Sequence, residues 1–178
     1  IRAINADVMI FLFGMFVVGQ AMDQSGYLSH LSYRIFRRAR TTNGLLLAVL
    51  LVMALFSALL MNDTIAIIGT PVVLSLARYA GIRAKPLLLA LASAVTVGSV
   101  MSPIGNPQNL LVAVHGNVAN PFVTFGQYLV LPTLLCLLVV YAMLRLLYRT
   151  DFDGSPVVHV YAALSDPALA KLCRISLL

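Results

Sequence analysis

Apolar residues run along this chain in stretches about as long as a bilayer is thick, separated by short basic or polar interruptions. Residues 7–22, DVMIFLFGMFVVGQAM, predict a first spanning helix, because a crossing needs about 17–25 residues at about 1.5 Å each. No signal-peptide cleavage pattern follows, so this span is read as retained. After Gly26 the pattern changes to YLSHLSYRIFRRAR, with Leu28, Leu31 and Ile35 on one side and Arg34, Arg37 and Arg38 on another, which predicts an amphipathic interfacial helix. Residues 43–61 then run apolar into Asn62-Asp63-Thr64, and 65–80 run apolar back out to Arg78, Arg83 and Lys85. Two full crossings with a tight outer turn would fit, and so would a re-entrant hairpin whose tip stops inside the membrane. The re-entrant form is preferred because the tip carries no Trp/Tyr belt, no extra loop residues and no second charge. Residues 86–116 predict an interrupted span: PLLLALASAVTVGSVM, the break SPIGNPQN, then LLVAVHG. A chargeless loop, NVANPF, leads to a last crossing at 124–144.

The pattern divides the chain into five parts. A scaffold span with its interfacial helix occupies 1–41, the hairpin 42–82 with its tip at 62–64, and the broken transmembrane helix 83–119 with its break at 102–109. A further transmembrane helix occupies 120–150, and 151–178 is a cytoplasmic linker followed, from Asp166, by the start of another helix. Because residue 1 is Ile and the chain stops in mid-pattern, it is read as a piece of a longer polypeptide.

Composition turns these runs into an all-α integral membrane protein. Of 178 residues, 61% are hydrophobic and 10% charged, with a mean hydropathy of +0.96, so the surface of a soluble domain is largely missing. The same figures exclude a disordered chain, and two cysteines, Cys136 and Cys173, are too few for a disulfide-stapled module. A net charge of +6 does not point to nucleic acid, because the basic residues are not gathered with aromatics on one face. They fall instead between apolar runs: Arg34, Arg37, Arg38 and Arg40, then Arg78, Arg83 and Lys85, then Arg145 and Arg149, then Lys171 and Arg174. Such clusters mark the cytoplasmic side, and a prokaryotic plasma membrane is the expected location. Between Arg40 and Arg78 the only charged residue is Asp63, and between Lys85 and Arg145 there is none.

Two polar breaks therefore lie at membrane depth, where an unwound backbone survives only if it lines a cavity or holds a ligand. The first is Asn62-Asp63-Thr64. An ionised carboxylate near the bilayer centre costs on the order of 2.5–3.5 kcal/mol, so Asp63 is expected to be protonated, cation-paired or water-exposed, as an ion-coupling group is. The competing reading is a plain helix cap on an outer turn. The second break, from Ser102 to Asn109, frees carbonyls at Pro103 and Pro107, while Gly105 allows positive φ. Pro107 suits the first turn of a new helix capped by Asn106, whose N-terminus would attract an oxyanion. The candidate substrate and ion ligands are thus Asn62, Asp63, Thr64, Ser102, Gly105, Asn106, Gln108 and Asn109, with a candidate Na⁺ site near Asn62, Asp63 and Gly105. Ser57, Ser93, Thr96, Gly98 and Ser99 are candidate cavity-lining positions, with close helix packing as the alternative. His115 is read as an interface residue and Cys136 as inert packing.

The stretches SALLMNDTIAIIGTPVVLSLAR and ASAVTVGSVMSPIGNPQNLLVA resemble arsenite permeases and related anion permeases of the ion transporter superfamily, over residues of about 7–148. That superfamily includes NhaD-type sodium/proton antiporters, citrate transporters and divalent anion/sodium symporters. The symporter branch carries Ser-Asn-Thr at the hairpin tip where this chain has Asn62-Asp63-Thr64, so that branch's sodium site is not carried over. The resemblance implies two inverted repeats, each with a re-entrant hairpin and a broken helix, meeting at the substrate site and moving as an elevator against a scaffold. This chain would be the N-terminal repeat, its partner the second repeat of the same polypeptide, and a homodimer is in keeping with such relatives.

The function expected is secondary transport of a small anion or oxyanion such as arsenite, coupled to H⁺ or Na⁺ and needing no other cofactor. A carboxylate/Na⁺ symporter or a Na⁺/H⁺ antiporter of the same superfamily is the alternative. An intramembrane enzyme is disfavoured: there is one intramembrane acid, no convincing Ser/His pairing, and neither G-x-S-x-G nor H-E-x-x-H.

Overall fold

The computed structural model describes residues 39–152 and, before them, helical positions between Met9 and Gln24. The expected interfacial helix after Gly26, the linker beyond Phe152 and the helix from Asp166 lie outside the described residues. All regular elements among the described residues beyond Ala39 are α-helices: α1 (Thr42–Leu60), α2 (Asn62–Ala80), α3 (Ala84–Ser99), α4 (Pro107–His115) and α5 (Pro121–Leu147).

α1 begins where Thr41 accepts the Gly44 N–H on its hydroxyl at 3.1 Å, which satisfies one of the free donors of the first turn. Nineteen residues later it stops at a single residue, Met61, and α2 starts at once. The chain doubles back there. Met53 and Gly69, each eight positions from Met61, lie side by side, with the Met53 sulfur next to Gly69. A second reversal, at residues 81–83, returns the chain as α3, which packs against both α1 and α2.

The core is this three-helix contact. Leu45, Leu46, Val49, Leu50 and Met53 of α1, Ile65 and Val73 of α2, and Leu87, Ala90 and Ala94 of α3 are all buried in one cluster. Lipid offers no hydrophobic drive to bring apolar helices together, so close backbone approach and side chain to backbone bonds have to. Both occur between α1 and α3. A Cβ on Gly98 would stand 2.5 Å from the Ala54 carbonyl oxygen, so only glycine lets the helices touch there. Next to it the Ser57 hydroxyl donates to the Val95 carbonyl at 2.6 Å.

α5 is different in kind. It has 27 residues, about 40 Å of helix, yet only Phe125, Thr133, Leu137 and Leu144 are buried on it. Leu131, Leu135, Leu138 and Val139 stand exposed, an apolar surface that water would not tolerate on a monomer. Together α1 and α5 are the helices long and apolar enough to cross a membrane among those described. α3 and α4 in line are about as long as α5, and the polar break falls between them.

Candidate substrate and ion site

Met61 sets the geometry of the first break. Its φ of 72° and ψ of 144° lie in a region that favours glycine, and its side chain is fully buried. Strain of this kind persists only where surrounding contacts hold it. α2 begins there with no side-chain cap, so the N–H groups of its first turn and the positive end of the helix dipole take no partner from a capping side chain. One of them, the N–H of Asn62, donates to the Gly105 carbonyl at 2.9 Å. The two polar breaks are thereby one place in space. Asp63 is exposed and has no ion-pair or hydrogen-bond partner among the described residues. Asn62 is half-buried and Thr64 is 6% exposed, and the buried Asn62 Oδ1 and Thr64 Oγ1 have no hydrogen-bond partner among the described residues.

The second break is organised by its own amides. α3 tightens at its end, with Val100, Met101 and Ser102 N–H groups reaching back three residues to the Val97, Gly98 and Ser99 carbonyls at 3.3–3.4 Å. Three carbonyls at this helix end also meet one side chain: the Asn109 amide donates to Ser99 at 3.2 Å, Val100 at 3.1 Å and Ser102 at 2.9 Å. Asn106 caps α4, its Oδ1 accepting the Asn109 N–H at 2.8 Å, while its amide donates to the Ser99 hydroxyl at 3.0 Å. Ser99 in turn donates to the Thr96 carbonyl. The Ser102 hydroxyl accepts the Ile104 N–H at 3.3 Å. Gly105 lies so close to the Ser99 carbonyl that any Cβ there would collide with it.

The sequence-derived residues thus separate. Asn62, Asp63, Thr64 and Gly105 come together at the junction. Ser99, Ser102, Asn106 and Asn109 form its frame, their polar groups largely engaged with one another. Gln108 is exposed in the first turn of α4, beyond the capping residues. Of the lining positions, Ser57 and Gly98 sit in the α1–α3 contact, Ser93 is half-buried, and Thr96 is exposed with its hydroxyl on the Ala92 carbonyl. His115 is exposed at the end of α4, its Nδ1 3.2 Å from the Leu111 carbonyl, and Cys136 is exposed on α5.

One pair escaped the sequence reading. Arg83, in the turn between α2 and α3, holds Asp151 through Nε at 3.1 and 3.0 Å and Nη2 at 2.6 Å, and stacks 5.7 Å above the Tyr148 ring. The backbone N–H of Arg83 adds a contact at 3.3 Å. This hydrogen-bonded pair holds the Asp151 carboxyl below the usual carboxylate range and raises the Arg83 guanidinium above its ordinary value. It places the turn at Arg83 and the end of α5 at the same end of the molecule. Asp151 is the first acid after 87 residues without one, a signal that a count of acids alone could have raised.

A strained turn, two uncapped or self-capped helix ends and unpaired buried polar atoms set among apolar helices form the arrangement of a membrane transport protein, in which broken helices surround the permeating solute. The chain belongs to the citrate transporter family: the family model CitMHS, described as citrate transporter, matches residues 1–177. Among the relatives, the silicon efflux transporter LSI3 of Oryza sativa subsp. japonica is 36% identical over 152 residues, 85% of this chain and 31% of that protein. The inner membrane protein YbiR of Escherichia coli (strain K12) is 36% identical over 110 residues, 62% of this chain and 30% of that protein. The P protein of Homo sapiens is 25% identical over 149 residues, 82% of this chain and 18% of that protein. The chain therefore spans about a third or less of the length of these relatives. No solved structure matches. The family description and the name of LSI3 are those of transporters and not of enzymes.

Proposed function

We propose that this chain forms half of the substrate site of a secondary transporter for a small anion or oxyanion of the arsenite kind, coupled to H⁺ or Na⁺ at Asp63. The observation that carries this reading is the tip of α2. Two buried oxygens and a carboxylate, all without partners among the described residues, lie in the uncapped first turn of α2, whose first N–H reaches the Gly105 carbonyl. Unpaired buried polar atoms are costly, about 1–3 kcal/mol each, unless a ligand or ion completes them. Asn62 Oδ1, Thr64 Oγ1 and the Asp63 carboxylate are hard oxygen donors of the type that Na⁺ or a proton takes. The N–H groups of α2 face a solute oxygen.

The absence of Lys and Arg from residues 86–144 argues against a site built for a bare multiple negative charge. A neutral or weakly acidic hydroxide fits it better. Dissolved silicon and arsenite are both hydroxides that are mostly uncharged at neutral pH, and a silicon efflux transporter is among the relatives. The family description supports a second reading, a citrate-type carboxylate/Na⁺ symporter, in which bound cations would offset the carboxylates. The hairpin is read as re-entrant because its tip meets the polar junction between α3 and α4. In this reading α1–α2 and α3–α4 move together against a scaffold that includes α5.

Flux in proteoliposomes of the full-length protein tests both readings. Arsenite or silicic acid uptake that responds to pH or Na⁺ gradients, and loses that response in Asp63→Asn, is the expected result. Unaltered gradient dependence in Asp63→Asn removes the coupling role. Competition by citrate, with no competition by silicic acid, favours the carboxylate symporter.

A further inference from the structure

We propose that the groove at the C-terminal end of α5 is a binding site for an anionic phospholipid, with the headgroup phosphate held between Arg145 and Arg149 and an acyl chain lying along Leu138, Tyr141 and Ala142. The groove encloses about 640 Å³ and is lined by these residues together with Phe152. Arg145 stands in the last turn of α5 and Arg149 just beyond its end, after Tyr148, and both line the groove. Both are exposed and neither has an acidic partner among the described residues. The nearby acid among the described residues, Asp151, is already taken by Arg83, and no carboxylate is among the described residues that line the groove.

Charge complementarity and shape point to the same occupant. Guanidinium groups match phosphate oxygens in a bidentate fashion, and two of them at one end of a groove make a phosphate cradle. From Arg145 back to Leu138 the helix runs about 10 Å, and that stretch of the groove is lined by Leu138, Tyr141 and Ala142. A soluble phosphate compound has no use for that stretch, whereas an acyl chain fills it. Basic residues at the rim of a transmembrane helix are where the surface potential of an anionic leaflet acts most strongly. The floor is also fixed. Phe152 is 3% exposed, with its N–H on the Tyr148 carbonyl at 3.2 Å, and the residue before it is locked by Arg83. The Arg83–Asp151 pair therefore keeps the groove open at its phosphate end.

The inference rests on α5 lying in a bilayer and not on what is transported, so its test reads lipid and not flux. The full-length protein, purified in detergent, would be titrated with phosphatidylglycerol and with phosphatidylcholine of the same acyl chains, and bound lipid counted by native mass spectrometry. Phosphatidylglycerol should bind at least about tenfold more tightly. Arg145→Gln should weaken it about fivefold and Arg145→Gln/Arg149→Gln about twenty-fivefold, the weight of a basic residue facing an anionic lipid surface. Arg145→Lys/Arg149→Lys, which keeps the charge but not the bidentate geometry, should bind phosphatidylglycerol more tightly than the double Gln variant and more weakly than the unmodified protein. Arg78→Gln/Lys85→Gln, which removes the same charge from elsewhere at this end, should change it less than twofold. Equal binding of the two lipids by the unmodified protein overturns the proposal without any variant, and is the result expected if other parts of the polypeptide cover the groove. An equal loss in Arg78→Gln/Lys85→Gln also overturns it, and so does displacement of phosphatidylglycerol by millimolar inorganic phosphate.

Discussion

The backbone N–H of Asn62 donates to the carbonyl of Gly105 at 2.9 Å, joining the start of α2 to the turn between α3 and α4. A single bond thereby links two polar segments 43 positions apart in sequence, and the candidate site is as well positioned as that bond and the glycine beneath it.

Gly105→Ala should break this link. Its Cβ has no room beside the Ser99 carbonyl, so the turn must shift away from Asn62. Overpacking of this kind costs about 1–3 kcal/mol. Thermal unfolding in detergent should show the loss, and solute flux should fall much further than stability, because the site is displaced and not merely loosened.

Thr64→Val should behave in the opposite way. The Thr64 hydroxyl is buried without a partner, so exchanging it for a methyl of similar shape removes a desolvated polar group. Stability of the ligand-free protein is expected to stay level or rise by about 1 kcal/mol. If the hydroxyl serves a solute or ion, ligand-induced stabilisation disappears in the same variant. A stability loss above about 1 kcal/mol would mean that Thr64 already has a structural partner.

Asn109 and Gln108 are adjacent amides with different expectations. Asn109→Ala leaves the Val100 carbonyl without its donor and the Ser99 and Ser102 carbonyls with only a backbone N–H each at 3.3–3.4 Å, and should cost about 1–3 kcal/mol. Gln108→Ala, at an exposed position, should leave unfolding within about 0.5 kcal/mol. Equal effects in a denaturation assay would contradict the frame described for the break.

The Arg83–Asp151 pair predicts a pH dependence of definite sign. Because the folded carboxyl is held below its unfolded value, its contribution is fully present above the unfolded pKa and is lost as pH falls through the folded one. Arg83, raised above its ordinary value, stays charged throughout. Melting temperature should therefore be insensitive to this pair from about pH 5 to 9 and decline below about pH 4. Asp151→Asn should lower the neutral-pH plateau and flatten that acid decline.

Much of this arrangement was legible from periodicity and polarity. The apolar runs around Asn62-Asp63-Thr64 and around the Pro/Gly/Asn segment announced helices interrupted by short polar segments, and Asn106 with Pro107 announced the start of α4. What the pattern could not supply was pairing across the chain. Nothing local distinguishes Asn109, whose amide serves three carbonyls, from Gln108, which serves none, because the difference lies in where α3 ends. Ser57 and Gly98 read equally well as lining or as packing, since the choice depends on which helix α1 meets. Asp151 looked like the first residue of a polar linker because its partner Arg83 is 68 positions away. Met61, an ordinary apolar residue by type, gives no hint of its positive φ.

The one-residue joint at Met61 leaves the hairpin no slack. An α-helix advances by about 100° per residue, so inserting one alanine after Met61 would turn all of α2 by more than a quarter revolution about its axis. Asp63 would then point where a buried neighbour now lies, and Ile65 and Val73 would be swung out of the core together. Insertion scanning should find a tolerance gap centred on this position, whereas the five-residue loop at 116–120 should accept added length freely. The rotational phase of α2, and not the chemistry of the residues it carries, is the quantity that this joint preserves.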